Sequence, residues 1–217
     1  MFKSDSHMSQ DGPQLPNEDV WRQIITEVQP KLVLTTGTAG GIGKQFEVGD
    51  VVVSPVVRFD CLSKFKKEPF HHASYRSRPA NAAHFASAQA LFKVNAAQPP
   101  KDNTRLPKIL RVSPGALASS VVTTDFFGFD TSDNHYGLQG LGTVSEMGDA
   151  VLGLVCSQMG AKAPRYLAVR NVSDPQIKTA GMTLKQQAAL AGQIYKGFGR
   201  WSSVCSAIVC WALIAAE

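Results

Sequence analysis

Short apolar runs alternate with helical periodicity along nearly the whole 217-residue chain. That alternation restricts it to an α/β sheet with helices on its faces. Glu18–Val28 sets Trp21, Ile24, Ile25 and Val28 at helical spacing, with Asn17 as N-cap and Gln29-Pro30 as the stop. Lys31–Thr36 then reads as a short buried strand, followed by a glycine-rich turn over Gly37–Gly43. Val51–Val57 predicts a second strand segment bent at Pro55. Residues 62–78 read as loop, and Pro79–Val94 as a helix with Phe85, Ala88 and Phe92 on one face. Ile109–Val112 and Ser120–Val122 predict short strands, separated from the next helix by the polar stretch Thr123–Gly142. Stretches of that composition line a site or cover a surface. Met147–Met159 returns to helical spacing, and Tyr166–Val172 predicts a strand ending at Ser173-Asp174. Thr183 and Gln186 form a capping box before a final helical region.

The length suits one substantial domain, over 18–217, behind a polar N-terminal arm over 1–17 that is expected to be flexible. With 44% hydrophobic and 18% charged residues, a disordered solvating chain is excluded. The longest nearly continuous apolar stretch, Val204–Ala216, is too short for a bilayer and predicts a buried C-terminal helix, so no membrane partner is expected. Cys61, Cys156, Cys205 and Cys210 form no C-x-x-C pair or zinc-ligand spacing. Their apolar neighbours predict buried thiols in a reducing compartment, and a cytoplasmic location is expected. The formal charge of +5 is uneven, with six Lys or Arg in residues 58–78 and four more in 101–111. Such stretches attract phosphate or nucleic acid. They are more often solvated loops, and nucleic acid is not expected as a partner.

The glycine turn fails the Walker pattern, because Thr38 stands where the first glycine is needed and Gln45 where Ser or Thr would hold magnesium. It fails the Rossmann spacing as well, since Phe46 takes the place of the last glycine. Two readings of it remain: a backbone that approaches a ligand closely, or an ordinary tight turn. Asp174, four residues after Arg170, likewise reads either as a general acid at the carboxyl end of a strand or as a cap paired with that arginine. No metal site and no cofactor are expected.

Four segments, in order, carry a resemblance: Thr36–Gly41 (TGTAGG), Val48–Ser54 (VGDVVVS), Glu146-Met147 leading into AVLGLVC, and Val169–Asp174 (VRNVSD). Together they resemble the nucleoside phosphorylase/nucleosidase superfamily, including methylthioadenosine/S-adenosylhomocysteine nucleosidases, over residues 18 to about 215. The resemblance implies a three-layer α/β fold with a central mixed sheet flanked by helices, and cleavage of the N-glycosidic bond of a purine nucleoside or related N-riboside. It implies a nucleosidase, with a phosphate-dependent phosphorylase or a catalytically impaired nucleoside-binding protein as alternatives. Asp174 matches the acid that protonates the departing base, and Arg170 an arginine that holds the nucleophile. Phe127 and Ser173 fall at the base. Thr38, Ala39, Gly40, Glu146 and Met147 fall at the ribose and nucleophile. A homo-oligomer, dimer or larger, is also implied.

Two departures stand out. Gly148 replaces the glutamate that the family commonly places on the ribose hydroxyls, and in a helix from Met147 the flanking Glu146 and Asp149 point elsewhere. The family's first strands, with their phosphate loop or water-activating carboxylate, precede the first helix. Here that helix stands almost at the start, so the first strands are expected to be missing from this chain, either belonging to a longer precursor or another chain or absent from a reduced fold. Without a recognisable phosphate loop, hydrolysis is favoured slightly over phosphorolysis.

Overall fold

The strands carry apolar side chains on both faces, so the sheet must be covered on both sides. The computed structural model, which describes residues 7–10, 14–78, 85–95, 100 and 102–217, shows that arrangement. In chain order the helices are α1 (Pro16–Val28), α2 (Phe85–Asn95), α3 (Asp149–Met159) and α4 (Leu184–Ala216). The strands are β1 (Leu32–Gly41), β2 (Val51–Ser54), β3 (Val56–Phe59), β4 (Ser74–Arg76), β5 (Ile109–Arg111), β6 (Val121–Thr123), β7 (Val144–Glu146) and β8 (Arg165–Asp174). They form one mixed sheet in the order β4-β3-β6-β7-β1-β8-β2-β5.

Along β8, Tyr166, Ala168 and Val172 enter one core with Val52, Val57, Phe59 and α3 residues Val151 and Val155. Leu167 and Val169 enter the other, with Val51, Val53, Phe92 of α2 and Cys205, Val209 and Leu213 of α4. The period-two alternation of a strand therefore feeds two helical layers from one sheet. This is the expected three-layer α/β architecture.

Pro55 separates β2 from β3 and has no N–H to give a ladder. The Ser54 hydroxyl takes up the break, accepting from Val56 N–H at 3.0 Å and donating to Val56 C=O at 2.7 Å. Because β2 and β3 join different halves of the strand order, this bend curls the sheet.

Several boundaries differ from those read in the sequence. β1 does not end at Thr36 but runs through the glycines to Gly41, parallel to β8 from Leu32 opposite Arg165 to Gly40 opposite Asp174. Gly40 and Gly41 also pair with Ser145 and Val144 of β7, which periodicity did not mark. β4 lies inside the stretch read as loop. Residues 79–84 of the helix expected over Pro79–Val94 lie outside the described residues. The capping box at Thr183 and Gln186 is formed, and α4 beyond it extends for 33 residues. By length and composition α4 is apolar enough to cross a bilayer, yet Cys205, Val209 and Leu213 pack it on the sheet.

In the segment read as a flexible arm, Met8 is fully buried in the main core. Its N–H donates to Met147 C=O at 2.8 Å. Burial and pairing of that backbone tie the described part of the arm to the domain.

Candidate active site

The glycines of β1 are strand residues because side chains from neighbouring strands lie across them. A Cβ on Gly37 would stand 2.5 Å from Arg170 Nη1, and one on Gly40 2.9 Å from Asp174 Oδ2. Neither close approach survives any larger residue. The floor so formed opens into a cavity of about 740 Å³, lined by Gly37–Gly40 of β1, Ser145 and Glu146 of β7, Met147–Asp149, Arg170 and Ser173-Asp174 of β8, and Thr124, Phe127 and Gly128 of the polar loop. All the residues picked from the sequence meet here: Asp174, Arg170, Phe127, Ser173, Thr38, Ala39, Gly40, Glu146 and Met147. The cavity sits at the carboxyl ends of the parallel strands β1 and β8, where α/β sheets gather ligands.

Asp174 is 4% exposed, and its Oδ1 accepts from Ser173 Oγ at 2.7 Å. Burial pushes its carboxyl up to about 6, with the Ser173 hydroxyl pulling weakly the other way. Arg170 is not its partner. Of the two readings of Asp174, the cap paired with Arg170 is thus not the one formed.

Arg170 turns instead to Asp149, which accepts both Nε, at 2.7 Å, and Nη2. Glu146 Oε2 lies 3.3 Å from the same Nη2. Burial alone would lower the guanidinium pKa, but Asp149 and Glu146 outweigh it and raise it, so Arg170 stays charged. Burial, joined by the Asp149 charge, pushes Glu146 well above the usual carboxylate range, against the pull of Arg170 and Thr123.

These carboxylates reach the site because α3 starts at Asp149 rather than Met147. Its N-cap, Gly148, has no side chain to satisfy the exposed N–H groups. Glu146 does so from the end of β7, accepting from Gly148 N–H at 2.7 Å and Asp149 N–H at 2.9 Å. Thr123 Oγ1 accepts from Ala150 N–H at 2.8 Å and also bonds Glu146. The expectation that Glu146 and Asp149 point elsewhere is corrected: both line the cavity, since Glu146 belongs to a strand and Asp149 to the helix start.

Phe127 is 51% exposed at the cavity and stands 5.8 Å, ring to ring, from Phe129. It is therefore not a core phenylalanine, and a flat base has a face to meet. Sequence reasoning missed Ser145, Thr124 and Tyr195, which also line the cavity, and read Trp21 and Ile24 only as part of a helical periodicity although both border it. His7, from the anchored N-terminal segment, borders it too.

The basic stretches lie elsewhere. Arg105 makes a bidentate pair with buried Asp50, both contacts at 2.6 Å. Residues 62–65 are pinned by Asp125, which accepts from the N–H groups of Leu62, Ser63 and Phe65. Among the described residues no group of His, Cys, Asp and Glu has the makings of a metal site.

A 5′-methylthioadenosine/S-adenosylhomocysteine nucleosidase from Neisseria meningitidis, solved with methylthio-immucillin-A, superposes with a TM-score of 0.58 at 17% identity, covering 92% of this chain and 76% of its own. The corresponding nucleosidase from Colwellia psychrerythraea, solved with adenine, gives 0.59 at 18% identity over 92% and 72% of the two chains. Futalosine hydrolase of Helicobacter pylori gives 0.58 at 14% identity over 92% and 74%. At such identity the likeness is one of fold. A search of curated proteins by sequence found no match. The model of the phosphorylase superfamily matches residues 20–198, most of the chain including both walls of the cavity, and the chain belongs to that superfamily.

Proposed function

We propose that the protein is a nucleosidase that hydrolyses the N-glycosidic bond of a purine nucleoside or related N-riboside. The observation that carries this reading is Asp174: a buried carboxyl, raised to about 6, in the same cavity as a separate arginine–carboxylate cluster. Two carboxyl environments of different polarity are what acid-assisted departure with nucleophilic capture requires. Asp174 gives its proton to the leaving base as the bond to the anomeric carbon breaks and its electron pair goes to the base. A water oxygen beside Arg170 bonds that carbon, and the proton it sheds passes to Glu146. Glu146 and Asp149 face the positive charge gathering on the sugar. Phe127 stacks on the base, Ser173 orients Asp174, and Thr38, Ala39, Gly40 and Met147 border the sugar.

The named nucleosidases of this fold support the reading. The free cysteines support a reducing, cytoplasmic setting. Trp211 and Ile214, exposed on α4, support a homo-oligomer, which light scattering would test. Incubation with a panel of nucleosides, with and without phosphate, is the direct assay. Free base released at the same rate in both is expected, whereas phosphate-dependent sugar 1-phosphate makes the protein a phosphorylase. A second reading, a binding protein without turnover, is favoured by Gly148, which offers no side chain to sugar hydroxyls. Tight nucleoside binding by calorimetry with no cleavage selects it.

A further inference from the structure

Arg170 is the one Lys or Arg among the described residues lining the cavity, against the carboxylates Glu146, Asp149 and Asp174. An arginine takes phosphate best through the fork of two adjacent N–H groups. Here the fork of Nε and Nη2 is filled by both oxygens of Asp149, which is 2% exposed. The second fork, Nη1 with Nη2, has Gly37 directly beneath Nη1 and Glu146 Oε2 3.3 Å from Nη2. A phosphate at this arginine would either displace buried Asp149 from the first fork or meet the carboxylate of Glu146 at the second. Water meets no such repulsion.

We propose that Asp149 is a specificity-determining, positioning residue: by closing the guanidinium fork of Arg170 it denies that site to phosphate and leaves water as the nucleophile. This rests on reading the cavity as a site of glycosidic cleavage, but its phosphate arm does not need turnover. Asp149 also compensates for the bare Gly148. It restores a carboxylate to the start of α3, where the helix dipole favours one, and directs it at the arginine.

The test is binding of inorganic phosphate by calorimetry to the wild-type protein and to Asp149→Ala and Asp149→Asn. The wild type is expected to bind none up to about 10 mM, and Asp149→Ala to bind at least ~10-fold more tightly. Asp149→Asn, which keeps one acceptor but loses the charge, falls between them. Where base release is measurable, phosphate-independent turnover drops in both variants, and Asp149→Ala gains a phosphate-dependent component. Wild-type binding of phosphate with a Kd below about 10 mM overturns the proposal, even if neither variant folds. Variants that fold and match the wild type in phosphate affinity overturn it too. A wild type that cleaves no nucleoside and still rejects phosphate, with Asp149→Ala accepting it, leaves Asp149 as assigned and refutes the nucleosidase reading alone.

Discussion

Asp174 is held in an environment that favours its neutral form, and this has opposite consequences for stability and for chemistry. Its pKa in the folded chain is raised from 3.8 to about 6, chiefly by burial. The stabilisation is therefore complete below pH 3.8 and is lost as pH rises through about 6. At neutral pH the ionised carboxylate costs on the order of 3 kcal/mol. Asp174→Asn, which removes the charge and keeps the shape, is expected to raise the melting temperature at pH 7.5 and to lose that advantage at pH 4. In the same variant base release should fall by roughly 100-fold or more, because an amide N–H is too weak an acid to give up its proton. An active Asp174→Asn protein would refute the acid. Gly37 provides a complementary test from beneath the arginine. Gly37→Ala must push Arg170 Nη1 aside, at a cost of roughly 1–3 kcal/mol and with loss of turnover, measured by urea denaturation and the nucleoside assay. Retained activity would mean that the position of Arg170 is not critical.

At the scale of elements, long periodic segments were readable, and so were the short apolar strands β5 and β6, whereas β4 and β7 were not. α1, α3 and β8 declare themselves because one or two faces of each are apolar over many residues. β7 spans three residues, Val-Ser-Glu, and its identity as a strand comes from pairing with β1 and β6, which no local pattern encodes. The glycines after Thr36 read as a turn because glycine is the usual turn former. Tertiary demand won, since only a residue without Cβ lets Arg170 and Asp174 cross that strand. The start of α3 was misplaced for a related reason: its caps, Glu146 and Thr123, sit on two strands, outside the window of a helix signal. The site was legible in its membership from the order of the motifs, but the pairing of Arg170 with Asp149 was not. The N-terminal segment shows the same dependence on tertiary context. Met8→Ala removes a fully buried side chain and should destabilise the protein by roughly 2–5 kcal/mol. Deleting residues 1–10 also removes the hydrogen bond to Met147 C=O beside the cavity. It is expected to raise KM more than it lowers kcat, and an unchanged KM would separate this segment from the site.

Over the whole molecule the charge is divided against itself. The chain carries a formal +5, yet among the described residues its cavity is walled by three carboxylates against one arginine whose Nε–Nη2 fork is already occupied. The surplus of positive charge draws anions toward the surface at low ionic strength, while the cavity repels those that try to enter. On the proposed function, a neutral nucleoside escapes this conflict, and the cation that would develop on its sugar is favoured by the same carboxylates that repel phosphate. A nucleoside and its 5′-monophosphate should therefore differ widely. Turnover of the monophosphate is expected to be lower in kcat/KM by at least ~10-fold, about 1.4 kcal/mol in the transition state. Much of the penalty should persist at high salt, because charges walled into a cavity are screened far less than those on a surface. Any stimulation of the monophosphate at low salt belongs to the exterior and should vanish as salt is raised. Equal kcat/KM for the two substrates across that range would show that the acidic wall does not face the reacting sugar, and would remove the electrostatic basis for hydrolysis at this site.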